Sequence, residues 1–310
     1  MRTALATVAV RLVDSTARNP LLSLTSDISN TALFAGLVIQ YVGYFAFAGP
    51  IDWWHRRSGP SGYGLTRANQ SWKALVAAGV ATAVLTGWPS LVVDAANAHW
   101  HLGQTVAWRQ ALFDMSWRRW QFWFFSAVGS WAVVPVVEEL FFHGYCQRRL
   151  AEDWGDGPAI VGTACLFACS HAQYFRADPY NAGLIFSVFA AGVGYGVVFA
   201  LTRSLVPSIF AHAVLNVPMT IPWQLAVLFV SIVGWIFSVR PAWSAIKKVF
   251  AGASITACIG LGILSGAYAI ASKAPPALAF VALGMVIVAI VLEKNDRIRV
   301  SSTPLAAEGG

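Results

Sequence analysis

The chain has 310 residues, of which 57% are hydrophobic and only 11% charged, whereas about 25% are charged in an ordinary soluble domain. Positive mean hydropathy, 14 Trp and repeated apolar runs exclude a soluble globular protein and point to a polytopic membrane protein. The net charge of +7 is no nucleic-acid signature, because Lys and Arg fall between apolar runs, as in loops that set membrane topology.

The first element in chain order is "MRTALATVAVRLVD", whose apolar stretch is cut short by Arg11. It reads as an interfacial amphipathic segment within residues 1–30 and not as a signal peptide. Candidate spans follow at 31–49, 73–95, 122–145, 158–175, 182–202, 205–221, 224–239, 250–271 and 276–293, most of them near the ~20 residues that a helix needs to cross the hydrocarbon. The spans 205–221 and 224–239 are short and separated by "PMTIPW", so eight spans compete with nine. The predicted fold is an all-α, polytopic membrane helix bundle with about eight or nine transmembrane helices.

Residues 51–72 read as a loop with an aromatic anchor, and 97–121, rich in Trp, as an interfacial segment. Residues 31–121 are thus accessory spans and loops, 122–221 the core, 222–293 the C-terminal spans and 294–310 a disordered tail. With nine spans, 13 of the 21 Lys and Arg residues lie on the side of 51–72 and the tail. That bias predicts a cytoplasmic C-terminus in a multi-pass protein of the cell membrane.

Of 14 Asp and Glu residues, Glu138 and Glu139 alone sit well inside a candidate span. A charge at that depth costs several kcal/mol by most scales, about 3 or more. Adjacent helical residues are turned by about 100°, so the two carboxylates are expected to face different neighbours. Glu139 and His143 are four apart and share a face.

The next span holds "LFACSHAQ", with His171 one turn after Phe167. Two spans further comes "IFAHAVLN", where His212 and Asn216 lie on one face, about 6 Å apart along the axis. Three helices that carry acids, an imidazole and an imidazole–amide pair predict one shared polar cavity. Glu139 is expected to point away from it, toward His143 or a neighbouring helix. Between these groups Gly192, Gly196 and Ala200 form a small-residue stripe that lets helix backbones approach closely.

Cys165 and Cys169 are one turn apart with His171 just beyond. The chain has no Cys-x-x-Cys pair, so its four cysteines predict neither a disulfide framework nor a cysteine-held metal. Glu138, His171 and His212 would be the ligands if the protein were a zinc peptidase. There is no His-Glu-x-x-His, and no cofactor or metal is expected.

"EELFFHG", "LFACSH" and "FAAGVGYGVVFALTRSLVPSIFAHAVLN" together resemble the CPBP intramembrane proteases, which include type II CAAX prenyl proteases and lysostaphin-resistance-protein-A-like proteins. The resemblance covers residues 122–221. The family pattern is Glu-Glu-x-x-x-Arg, Phe-x-x-x-His, a glycine-rich span and His-x-x-x-Asn. His143 stands here where the family has Arg.

The resemblance implies that Glu138 is the general base for a water that His171 helps to orient. It implies that His212 and Asn216 are donors to the oxyanion. Glu139, His143, Phe167, Gly192 and Gly196 would support them. The implied substrate is a membrane-associated protein or peptide, prenylated or bacteriocin-like. The competing readings are a zinc-dependent membrane peptidase, a non-catalytic immunity or scaffold protein that keeps the fold, and a proton-coupled transporter. The last lacks recognisable paired, interrupted half-helices.

Overall fold

In the computed structural model, residues 63–65, 69–105 and 130–217 are described, with scattered helical positions between 226 and 260. The expected spans 31–49 and 276–293, almost all of 250–271, the N-terminal segment and the tail lie outside the described residues. Within them the protein is entirely helical.

Helix α1, Trp72–Trp100, is 29 residues long, which exceeds the expected 73–95 at its C-terminal end. Ser71 caps its start by accepting the Ala74 N–H. The helix ends where His101 adopts a left-handed conformation, with φ 50°. Val76, Val80, Trp88 and Val92 stand exposed at multiples of four, a row that winds slowly round the helix. An apolar row of that length, uncovered by the described residues, suits lipid. Pro89, inside the helix, cannot donate to the carbonyl four residues back.

Helix α2 is continuous through Val134–Glu139, Leu140–Gln147 and Arg148–Trp154. Its middle section is π-helical, a widened turn that costs hydrogen-bond geometry and is found mostly at functional sites. The helix therefore runs beyond the apolar stretch that ends near residue 145. Arg148 pairs with Glu152 across one turn at 4.0 Å, and the helix stops at Gly155, whose φ of 79° suits glycine.

Helix α3, Asp156–Ser170, follows at once. It ends before the expected residue 175 and leads through His171 into a short 3-10 turn, Ala172–Tyr174. Helix α4, Pro179–Thr202, begins with Asp178 accepting from the Asn181 N–H at 2.8 Å and with Pro179 in the first turn. Helix α5, Val206–Leu215, is about two turns shorter than the expected 205–221, and Asn216 closes its end.

Helix α4 packs against both α1 and α3, and α5 packs on α1, α2 and α4. The glycine stripe is what brings α3 and α4 together. A Cβ on Gly192 would meet the Phe167 ring at 3.1 Å and the Ala164 backbone at 3.2 Å. Among the described residues, α1 and α4 are long and apolar enough to cross a membrane.

Candidate active site

The core of α2 to α5 is aromatic around a small set of buried polar groups. Phe141, Phe142, Tyr145, Phe167 and Tyr195 form one hydrophobic cluster. Inside it Glu138, Glu139, His143, Gln147 and His212 are each no more than 4% exposed. Charged groups this deep survive only when paired and hydrogen-bonded.

His212 of α5 is the centre of the arrangement. Its Nδ1 lies 2.8 Å from Glu139 Oε1, and its Nε2 lies 3.9 Å from Glu138 Oε2. One imidazole thus reaches toward both adjacent carboxylates across the helix boundary. The expectation that Glu139 faces away from this polar group is corrected here. Glu139 binds the same ring that faces Glu138, because the two nitrogens of an imidazole leave the ring in different directions. A carboxylate on Nδ1 fixes the ring orientation and leaves Nε2 directed at the other acid.

The second oxygen of Glu139 faces His143. The distance from Oε2 to His143 Nε2 is 3.7 Å, so the shared face of Glu139 and His143 is present. It is a close approach and not a hydrogen bond.

Phe167 connects the remaining groups. Its ring contacts His171 at 4.8 Å and His212 at 5.9 Å between centroids, both edge-on. The two imidazoles therefore flank one aromatic ring. His171 ends α3 with its Nδ1 2.9 Å from the Phe167 carbonyl, which can only accept, so Nδ1–H donates. Asn216 lies one turn after His212. Its Nδ2 donates to the Ser130 carbonyl at 3.0 Å, which ties the end of α5 to the helix bearing the acids and leaves the second amide hydrogen.

Two groups at this site were missed in the sequence. Tyr195 stacks on His212 with centroids 5.3 Å apart and rings inclined by 15°. It also meets His143 edge-on at 6.1 Å. Gln147 is bonded to His143. The signal for Tyr195 was a large polar aromatic between Gly194 and Gly196. For Gln147 it was the spacing of four from His143.

Next to this cluster, a cleft of about 630 Å³ is lined by Gln147, Arg148, Glu152, Asp156, Phe199 and Arg203. Arg203 is paired there with Asp156 at 2.9 Å. Among the described residues no group of three or more His, Cys, Asp or Glu side chains is arranged to hold a metal ion.

In comparisons with known proteins, no curated protein and no solved structure matches the chain. A family model does. It matches residues 118–218 and is described as type II CAAX prenyl endopeptidase Rce1-like. Those residues include every polar group of the buried cluster, from Glu138 to Asn216. The chain therefore carries, over about a third of its length, an Rce1-like domain of a membrane-embedded protease family.

Proposed function

We propose that the protein is a multi-pass intramembrane endopeptidase of about eight or nine spans, which hydrolyses a peptide bond of a membrane-associated protein or peptide with Glu138 as the base. The observation that carries this reading is the buried Glu138–His212–Glu139 arrangement between α2 and α5. Glu138 and His212 Nε2 are too far apart for a direct hydrogen bond at 3.9 Å. At that separation two hydrogen bonds of about 2.8 Å to one water would bridge the two groups.

In the proposed reaction Glu138 takes a proton from that water as its oxygen attacks the scissile carbonyl carbon. Electrons move onto the carbonyl oxygen, and His212 Nε2–H and the second Asn216 amide hydrogen donate to the resulting oxyanion. Glu139 keeps the His212 ring charged and aligned. His171, whose ring meets Phe167, is the residue that would help to orient the water. The intermediate collapses as the C–N bond breaks, and the departing amine takes the proton from Glu138. General-base catalysis supplies typically about 10²–10⁴-fold and each lost oxyanion donor costs about 10²–10³-fold, so amide hydrolysis needs both. No metal or other cofactor enters this scheme.

A prenylated or a bacteriocin-like substrate would suit the site equally, and neither peptide nor lipid specificity is written in the buried residues. Comparison of protein N-termini in membranes carrying wild type and Glu138→Gln tests the reading. New termini present only with the wild type support it. Identical termini, with both proteins inserted, support instead a non-catalytic scaffold. Loss of those termini on chelation would move the proposal to a zinc peptidase.

A further inference from the structure

The buried amide of Gln147 takes no part in the chemistry above, yet it holds His143, which faces Glu139. Gln147 sits one turn past His143 on α2 and is 1% exposed. Its Nε2 donates to the Gly196 carbonyl of α4 at 3.0 Å. Only the nitrogen end of an amide can face a carbonyl oxygen, so the orientation of this side chain is fixed. Its Oε1 is thereby turned to His143 Nδ1, 2.7 Å away. An amide oxygen only accepts, so Nδ1 carries a hydrogen.

The consequence appears at the other nitrogen. His143 Nε2 faces Glu139 Oε2 at 3.7 Å, and among the described residues neither atom has another hydrogen-bond partner. A neutral ring with its hydrogen on Nδ1 would aim a lone pair at a buried carboxylate oxygen. A proton on Nε2 removes that conflict and turns the contact into an ion pair.

The geometry points to Gln147 as a positioning residue that selects the protonation form of His143. By accepting Nδ1–H, it makes the imidazolium the only form of His143 that can support an anionic Glu139. His143 then serves as a cation, as the Arg of the resembled pattern would. The titratable groups facing His143 are Glu139 on its own helix and Tyr195 from α4, with Glu138 and His212 beyond Glu139. From α3 it meets the Phe167 ring, which does not titrate. The backbone leaves no slack in this arrangement, because a Cβ on Gly196 would lie 2.8 Å from Gln147 Oε1.

Nitrogen-15 NMR of histidine-labelled protein in liposomes tests the assignment, with the His143 signals identified by their loss in His143→Gln. In the wild type His143 Nδ1 should carry hydrogen at every pH, with the second proton, where present, on Nε2. As pH rises it should lose the Nε2 proton and keep Nδ1–H. In Gln147→Leu the neutral ring should switch to Nε2–H and donate to Glu139. Gln147→Glu should hold the doubly protonated ring to higher pH. Unchanged tautomers in Gln147→Leu would overturn the proposal. If that variant fails to insert, an unchanged titration in Gln147→Glu does the same.

The activity arm alone rests on the proteolytic reading. Wild-type cleavage should fall on the alkaline side as the Nε2 proton leaves. Gln147→Glu should move that limb to higher pH, and Gln147→Leu should flatten it on a plateau a few-fold lower. A tautomer switch in a protein that cleaves nothing upholds the role of Gln147 and rejects the protease.

Discussion

Glu139→Gln separates a carboxylate that acts through His212 from one that merely fills space. The substitution keeps the shape and one carbonyl oxygen, so His212 Nδ1–H retains an acceptor near 2.8 Å. What is lost is the charge, in a site where Glu139 is fully buried. Hydrogen bonds to charged groups contribute about 1.5–3 kcal/mol, against about 1 kcal/mol for a neutral one. The difference, about 0.5–2 kcal/mol, is about 2–30-fold in rate if Glu139 holds His212 in its charged form for the transition state. Glu138→Gln removes the base and should cost at least about 10²-fold.

The assay is cleavage of whichever membrane peptide stays intact in Glu138→Gln membranes. It is read in a cycle of Glu139→Gln, His212→Ala and the double variant. With His212 absent, loss of the Glu139 charge should cost almost nothing further, because the two side chains act as one unit. Full additivity of the two losses, in proteins of equal membrane content, would refute the chain from Glu139 through His212.

Gly196→Ala should lower the melting temperature in detergent. The new Cβ lies 2.9 Å from Ile160 as well as 2.8 Å from Gln147 Oε1, and such overpacking costs about 1–3 kcal/mol. Phe167→Ala should lower cleavage and stability together, because the ring is wedged between His171 and His212 and a buried Phe lost to Ala costs about 3–5 kcal/mol; activity that survives at full stability would count against the wedge. Arg203→Gly should be close to neutral by thermal melting. It loses an ion pair whose Arg is 64% exposed, worth about 0–1 kcal/mol, but relieves a left-handed residue with φ 53°, which costs about 1–2 kcal/mol.

Much of the site was legible because its residues obey helical spacing. Glu139 and His143, like His212 and Asn216, are four apart, and each pair lies on one face as that spacing requires. The small residues at 192 and 196 also mark a close helix approach, and the structure puts Ala164 and Phe167 against Gly192. The limits of elements were less legible. Helix α2 continues past its apolar run because a Glu152 one turn after Arg148 and a later Gly155 set its end, and hydropathy sees neither. Helix α3 stops early because His171 turns its side chain back to the Phe167 carbonyl.

The position of Glu139 was out of reach for a different reason. Periodicity gives the direction of a side chain from its own axis, and two neighbours turned by about 100° do point to different places. It says nothing about where the next helix lies. Helix α5 packs against α2 so that His212 enters the angle between the two carboxylates, and each nitrogen of its ring meets one of them. The adjacency of Glu138 and Glu139 then becomes functional, because their divergence is what a bridging imidazole requires. The same logic accounts for His143. A second imidazole on the far oxygen of Glu139 would leave this carboxylate between two rings, and it can be anionic toward both only if the proton of each is held on the facing nitrogen. The hydrogen bond from His143 Nδ1–H to Gln147 leaves the second ring one way to meet that condition.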